Sequence, residues 1–126
     1  MSARLALVAA SLLMALAVAL GAFGAHALKA RLAPDMLAIW QTGVTYHAWH
    51  ALALLALGLL MLHVPRSGAL KAAAWLFVVG VVVFAGSLYA LALGAPRWIG
   101  AITPFGGVAF IAGWITLAAG VWRIAA

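Results

Sequence analysis

The chain has 126 residues, of which 70% are hydrophobic and 6% are charged, and this composition excludes a soluble domain with an ordinary charged surface. Seven Lys and Arg residues and one acid give a net charge of +6 at pH 7. The basic residues stand singly at the ends of apolar runs, which excludes a nucleic-acid-binding stripe and indicates anchors at a membrane surface.

Charged residues divide the chain into four apolar runs, and each run meets the length of about 20 residues that a transmembrane helix needs. Runs rich in Ala, Leu and Val, without alternating polar residues, favour helices over barrel strands. We therefore predict an all-α membrane protein, a single domain over residues 1–126 built as an antiparallel bundle of four transmembrane helices. The predicted helices cover about residues 5–25, 36–63, 72–93 and 104–122.

Local signals mark the ends of these helices. Pro34 suits the first turn of the second helix, whose opening residues, 36–40, we expect to lie in the membrane interface before the helix turns inward. The connector 94–102 is predicted to be a short loop, and Thr103 and Pro104 suit the start of the fourth helix. In that helix small residues spaced seven apart predict a packing face, within the bundle or between copies. They are Gly106, Gly113 and Gly120.

The basic residues also indicate an orientation. We call side A the membrane face with Arg4, Arg66, Lys71 and Arg123, and side B the face with Lys29, Arg31 and Arg97. Positive-inside counting gives four residues against three and favours both termini in the cytoplasm. Trp40, Tyr89 and Trp98 are expected at the headgroup level of side B, where aromatic residues are frequent.

Polar side chains are concentrated in the side B half of the predicted bundle. Polar groups at membrane depth are costly, so they usually face the interior or a wet cavity and are candidates for function. The alternative is that they only bridge helices by hydrogen bonds. The sequence predicts a polar cluster just below side B, and the candidate binding residues are His26, Gln41, Tyr46, His50, Ser87, Tyr89 and Thr103.

The residue types in this part of the chain argue against a metal site and against a catalytic site. His47 and His50 form an H-x-x-H pair, to which His26 could add a third imidazole for zinc, copper or haem iron. No span contains a carboxylate or thiolate, so we predict no bound metal or other cofactor. Paired acids are missing, and Ser87 lacks the second glycine of a nucleophile elbow, so we predict no enzymatic activity.

Four motifs carry a resemblance to a known family: 21–26 (GAFGAH), 40–43 (WQTG) with Tyr46 and His50, 84–89 (FAGSLY), and 102–107 (ITPFGG) with 112–114 (AGW). With these motifs the chain resembles the YgdD/YwdK-like family of small bacterial membrane proteins, which is classed as a domain of unknown function. The resemblance implies a multi-pass protein of the bacterial inner membrane with no established activity. The chain departs from the family pattern at His47, where the family tends to have glutamine, and this departure argues against the metal site.

Our leading functional prediction is a small protein of the lipid bilayer that acts by binding, as a homo-oligomer or as an accessory of a larger membrane complex. The alternative is an oligomeric transporter or channel for a small neutral or anionic solute, and a haem or metal carrier comes third. If the polar cluster is structural, His26→Ala and His50→Ala should each lower stability by about 1 kcal/mol, as expected for interhelical hydrogen bonds in membranes.

Overall fold

The computed structural model describes residues 1–125, which form helices joined by short turns and contain no strand. The helices are α1 (Ala3–Phe23), α2 (Pro34–His63), α3 (Gly68–Gly80), α4 (Gly86–Ala92) and α5 (Thr103–Ala125). One π-helical turn, Gly24–Leu28, extends α1, and another, Val81–Ala85, joins α3 to α4.

Four continuous helical stretches are long and apolar enough to cross a membrane, which confirms the predicted fold class. We refer to them as the first to fourth spans: Ala3–Leu28, Pro34–His63, Gly68–Ala92 and Arg97–Ile124. The spans pack in chain order. The first contacts the second, the second contacts the third, and the third contacts the fourth.

Two helices begin earlier than predicted because serine hydroxyls cap them. The Leu5 N–H donates to the Ser2 hydroxyl at 3.2 Å, and the Leu70 N–H donates to the Ser67 hydroxyl at 3.3 Å. Each bond satisfies one of the four free N–H groups at a helix start. Lys71, the predicted boundary of the third helix, lies inside α3, because a long basic side chain reaches the membrane surface from within a helix.

The first part of the second span packs against the first span. Pro34 occupies the first turn of α2, as expected, and α2 runs without interruption to His63. Trp40 is 2% exposed and its indole N–H donates to the Leu20 carbonyl at 2.9 Å. Gly24 allows this contact, because a Cβ there would lie 2.7 Å from the Trp40 ring. Trp40 therefore joins the first two spans and is buried between them.

The connector between the third and fourth spans is more regular than predicted. Gly94 has a φ of 95°, a left-handed conformation that favours glycine. After it, Arg97–Ala101 forms a 3₁₀ helix where we predicted an irregular loop. α5 then begins at Thr103, next to Pro104, as the sequence analysis predicted.

The glycine face of α5 packs against the third span. A Cβ at Gly113 would lie 2.7 Å from the Phe77 ring, and one at Gly120 would lie 3.0 Å from the Ala69 Cβ. At Gly106 a Cβ would lie 2.7 Å from the Phe84 Cα. Small residues let the two backbones approach closely. The predicted packing face is thus an internal face of the bundle.

Candidate functional site

His50 lies near the middle of α2 and bonds through both ring nitrogens. Its Nε2 lies 3.2 Å from the Trp114 indole nitrogen, and its Nδ1 lies 2.7 Å from the Tyr46 carbonyl oxygen. An indole N–H can only donate and a carbonyl can only accept. Nε2 is therefore the acceptor and Nδ1 carries the proton, so both nitrogens are satisfied in a neutral ring.

The His50 ring also stacks on an aromatic ring of the fourth span. The His50 and Phe110 centroids are 3.4 Å apart, with an angle of 10° between the ring planes. His50 is 5% exposed, and Phe77 contacts it from the third span at a centroid distance of 5.6 Å. This side chain thus connects the second span to the third and the fourth.

His47 contacts different elements from His50, although the two are three residues apart. Its Nδ1 lies 3.1 Å from the Tyr89 hydroxyl, which joins the second span to the third. The Tyr89 ring in turn packs on Trp40 at a centroid distance of 4.6 Å. The other nitrogen of His47, Nε2, is buried and has no hydrogen-bond partner among residues 1–125.

Ser87 and Thr103 form a second polar contact between spans. Their hydroxyl oxygens are 2.7 Å apart, and Ser87 also lies 2.9 Å from the Phe84 carbonyl oxygen. Because the carbonyl can only accept, the single hydroxyl proton of Ser87 is donated to it. Thr103 therefore donates to Ser87, and the pair links the third span to the start of the fourth.

The Ser87–Thr103 pair should show a measurable energetic coupling. We expect Ser87→Ala and Thr103→Val to interact by about 1 kcal/mol, the size of interhelical hydrogen bonds in membranes. The measurement is a double-mutant cycle of unfolding in detergent. If the losses of stability in the two single variants simply add in the double variant, the hydroxyl contact contributes nothing to stability.

The structure brings together only part of the predicted cluster. His26 and Gln41 are exposed and their side chains make no hydrogen bond within the described part of the chain. Residues 1–125 contain no group of three His, Asp or Glu side chains placed to hold a metal ion. The two buried histidines lie near the middle of α2.

An aromatic groove beside His50 was not predicted from the sequence. The groove has a volume of about 410 Å³ and is open on the outer surface of the bundle. Its lining residues come from the second, third and fourth spans: Tyr46, Trp49, His50, Phe84, Gly107, Phe110, Ile111 and Trp114. Phe110 and Trp114 are four residues apart and so share a helix face. That spacing was the available signal in the sequence, whereas the predicted site was built on polar side chains.

Residues 20–107 match the family model described as "Protein of unknown function (DUF423)". The chain belongs to this family. The matched range contains α2 and the whole third span, and therefore the His47–Tyr89 contact. Membership confirms the family resemblance that the sequence motifs indicated.

Relatives of the DUF423 family support the same assignment. The chain is 47% identical to the UPF0382 membrane protein YwdK of Bacillus subtilis, over 81% of this chain and 83% of that relative. It is 46% identical to the UPF0382 membrane protein SSP2132 of Staphylococcus saprophyticus, over 86% and 89% of the two chains. A UPF0382 membrane protein of Haemophilus influenzae is 43% identical over 84% of each chain. No solved structure matches.

The interior of this bundle contains neutral polar groups. The single acid of the chain, Asp35, is exposed in the first turn of α2. The buried polar groups are imidazole and hydroxyl groups that bond across spans. Aromatic rings and hydrogen-bonding groups of this kind are suited to binding by stacking, packing and hydrogen bonds.

Proposed function

We propose that this DUF423 protein is a component of the bacterial inner membrane that acts by binding another membrane protein, without catalysis of its own. One observation carries the proposal. Tyr46 and Trp49 are 37% and 57% exposed near the middle of α2, and within residues 1–125 neither their hydroxyl nor their indole N–H has a hydrogen-bond partner. Unpaired donors are costly in hydrocarbon, and exposed Tyr and Trp normally lie at the headgroup level.

The aromatic groove beside these two residues supports a helix as the bound partner. Both nitrogens of His50, the polar residue at its floor, are already satisfied. The groove therefore suits apolar side chains, whereas Tyr46 and Trp49 at its edge need acceptors. A transmembrane helix offers both, since its apolar side chains fill the groove and its polar side chains accept hydrogen bonds. Tyr and Trp are also the residues that most often dominate binding energy at interfaces.

The arrangement of polar groups favours binding over transport. A transport pathway would need free hydroxyl and imidazole groups at its mouth. In this bundle those groups form hydrogen bonds with neighbouring spans. Towards side A the interior is filled by apolar side chains such as Leu54, Leu57 and Phe77. A solute crossing a single copy would have to displace this packed core, which is costly.

The proposal includes an orientation with both termini in the cytoplasm. Four spans place the two ends of the bundle on the same side of the membrane. Side A, which contains both ends, carries four basic residues against three on side B. The positive-inside rule therefore favours a cytoplasmic side A.

The binding proposal can be tested by photo-crosslinking in native inner membranes. A photo-reactive phenylalanine analogue at Ile111, which lines the groove and is 62% exposed, should form one adduct with another membrane protein. The same analogue at Leu12, which is 66% exposed on α1, is the matched control and should label lipid.

Two further variants connect the adduct to the groove. Gly107→Leu should reduce it about tenfold, because a Cβ at Gly107 lies 3.8 Å from the Phe84 ring and the leucine fills the groove without displacing backbone. Tyr46→Phe removes one hydroxyl and should reduce the adduct about threefold. An adduct with a second copy of this chain, or one that Gly107→Leu leaves unchanged, would contradict the proposal.

A further inference from the structure

A second groove lies on the other side of α2, between the first and third spans. Its volume is about 250 Å³, and its walls are apolar side chains of α1 and of the third span. The lining residues are Leu13, Leu16, Leu20, His47, Val81, Val82, Gly86 and Tyr89. The π-helical turn Val81–Ala85 forms part of the wall, and such turns are frequent at functional sites.

The proton positions on His47 and Tyr89 determine which hydrogen-bonding partner is missing in the groove. The Tyr89 hydroxyl can donate its proton to His47 Nδ1, which lies 3.1 Å away. In the opposite arrangement Nδ1 would donate, and both the tyrosine proton and Nε2 would remain unpaired. The first arrangement leaves fewer unpaired groups and places a proton on Nε2. His47 is 2% exposed, so Nε2 is a buried donor without an acceptor.

The protein offers this donor one weak contact of its own. The Leu13 backbone is the acceptor nearest the His47 ring, but no acceptor within residues 1–125 reaches Nε2 with full hydrogen-bonding geometry. A buried unpaired donor costs about 1–3 kcal/mol. A ligand that brings an acceptor oxygen to Nε2 recovers that free energy.

The packing of the first span allows a ligand to enter. The first span contacts the second through small buried residues, Ala6, Ala10 and Ala17, and makes little direct contact with the third span. The side chain of Leu16, which is 48% exposed at the edge of the groove, can therefore move towards lipid without breaking a packed helix interface. Entry from the bilayer requires a lipid-soluble ligand.

We propose that this groove binds a lipid-soluble molecule whose ring-sized headgroup carries a carbonyl, with the carbonyl oxygen accepting from His47 Nε2. The groove, at about 250 Å³, is slightly smaller than the range of about 300–1,000 Å³ that is typical of small-molecule sites. It therefore holds a headgroup and leaves any apolar tail in the bilayer. This site is separate from the aromatic groove and does not depend on the function proposed for it.

The test uses two flat probes of similar shape and native mass spectrometry of the purified protein in detergent. Menadione, a naphthoquinone, carries two carbonyls, and 2-methylnaphthalene carries none. We expect menadione to bind about tenfold more tightly than 2-methylnaphthalene, because only menadione has an oxygen that can accept from the buried Nε2 donor. The chain contains no cysteine, so menadione cannot attach to a thiol.

Variants of His47 test the bond itself. His47→Asn keeps an acceptor at the position of Nδ1 for Tyr89 but has no atom at the position of Nε2, so it should lose the preference for menadione. His47→Gln places an amide near the position of Nε2 and should retain part of the preference. For each variant, the binding of menadione and of 2-methylnaphthalene is measured. A general loosening of the bundle would change the binding of the two probes together, whereas loss of the Nε2 bond would lower the binding of menadione alone.

A variant of the groove wall tests the place of binding. A Cβ at Gly86 meets nothing within 4 Å, so Gly86→Leu fills the groove and should abolish menadione binding in a folded protein. Gly107→Leu fills only the aromatic groove and should leave menadione binding unchanged. Equal binding of the two probes, or menadione binding that survives both Gly86→Leu and His47→Asn, would overturn the proposal.

Discussion

Gly106→Ala is expected to destabilise the bundle by about 2–3 kcal/mol, although it adds a single methyl group. The added Cβ would lie 2.7 Å from both the Cα and the Cβ of Phe84. Because backbone and not a flexible side chain occupies the space, α5 and the third span must move apart. This separation also weakens the contacts at Gly113 and Gly120, which lie on the same face.

The neighbouring glycine supplies the control. A Cβ at Gly107 meets the Phe84 ring at 3.8 Å, an ordinary contact. Gly107→Ala should therefore leave stability unchanged within about 0.5 kcal/mol, or raise it slightly because alanine favours a helix. The comparison is made by unfolding in mixed detergent micelles. Similar stabilities for the two variants would show that the close approach at Gly106 does not limit packing.

His50→Ala is expected to cost about 2–3 kcal/mol, whereas His26→Ala should have no measurable effect. The first change leaves the Trp114 indole N–H unpaired and creates a cavity against Phe110. The second removes an exposed side chain that makes no hydrogen bond within the described residues. This difference replaces the equal losses of about 1 kcal/mol that the sequence analysis predicted for the two histidines.

His50→Phe separates stacking from hydrogen bonding. A phenyl ring keeps the stack on Phe110 but cannot accept from Trp114, so the expected loss is about 1 kcal/mol. The three variants are compared by unfolding in the same detergent. If His26→Ala proved as destabilising as His50→Ala, then His26 would have a packing role that its exposed position does not explain.

The same comparison of histidines shows how much of the candidate site was predictable. The cost of polar groups at membrane depth correctly indicated that polar side chains such as His47 and His50 face the interior of the bundle. It did not predict their separate partners. The first and third spans meet α2 at His47, while the fourth span meets it at His50. A pair that suggested one metal site in sequence therefore belongs to two different contacts.

Trp40 illustrates a second limit of the sequence. The preference of tryptophan for the headgroup level is an average over many proteins. That average does not predict that the Trp40 ring is buried between two spans, where Gly24 leaves room for it and the Leu20 carbonyl accepts from its indole N–H. Glycine and tryptophan are separated by 16 positions in the chain, so only the packing of α1 on α2 brings them together.

The sequence by itself determined that the chain forms four transmembrane helices, where they lie within a few residues, and which family it belongs to. These properties follow from local composition, since about 20 apolar residues without charge must form a helix in lipid to satisfy their backbone groups. Tertiary structure alone decided which side chains share a groove. Those groupings depend on how helices distant in sequence pack at the small residues between them, which no single helix encodes.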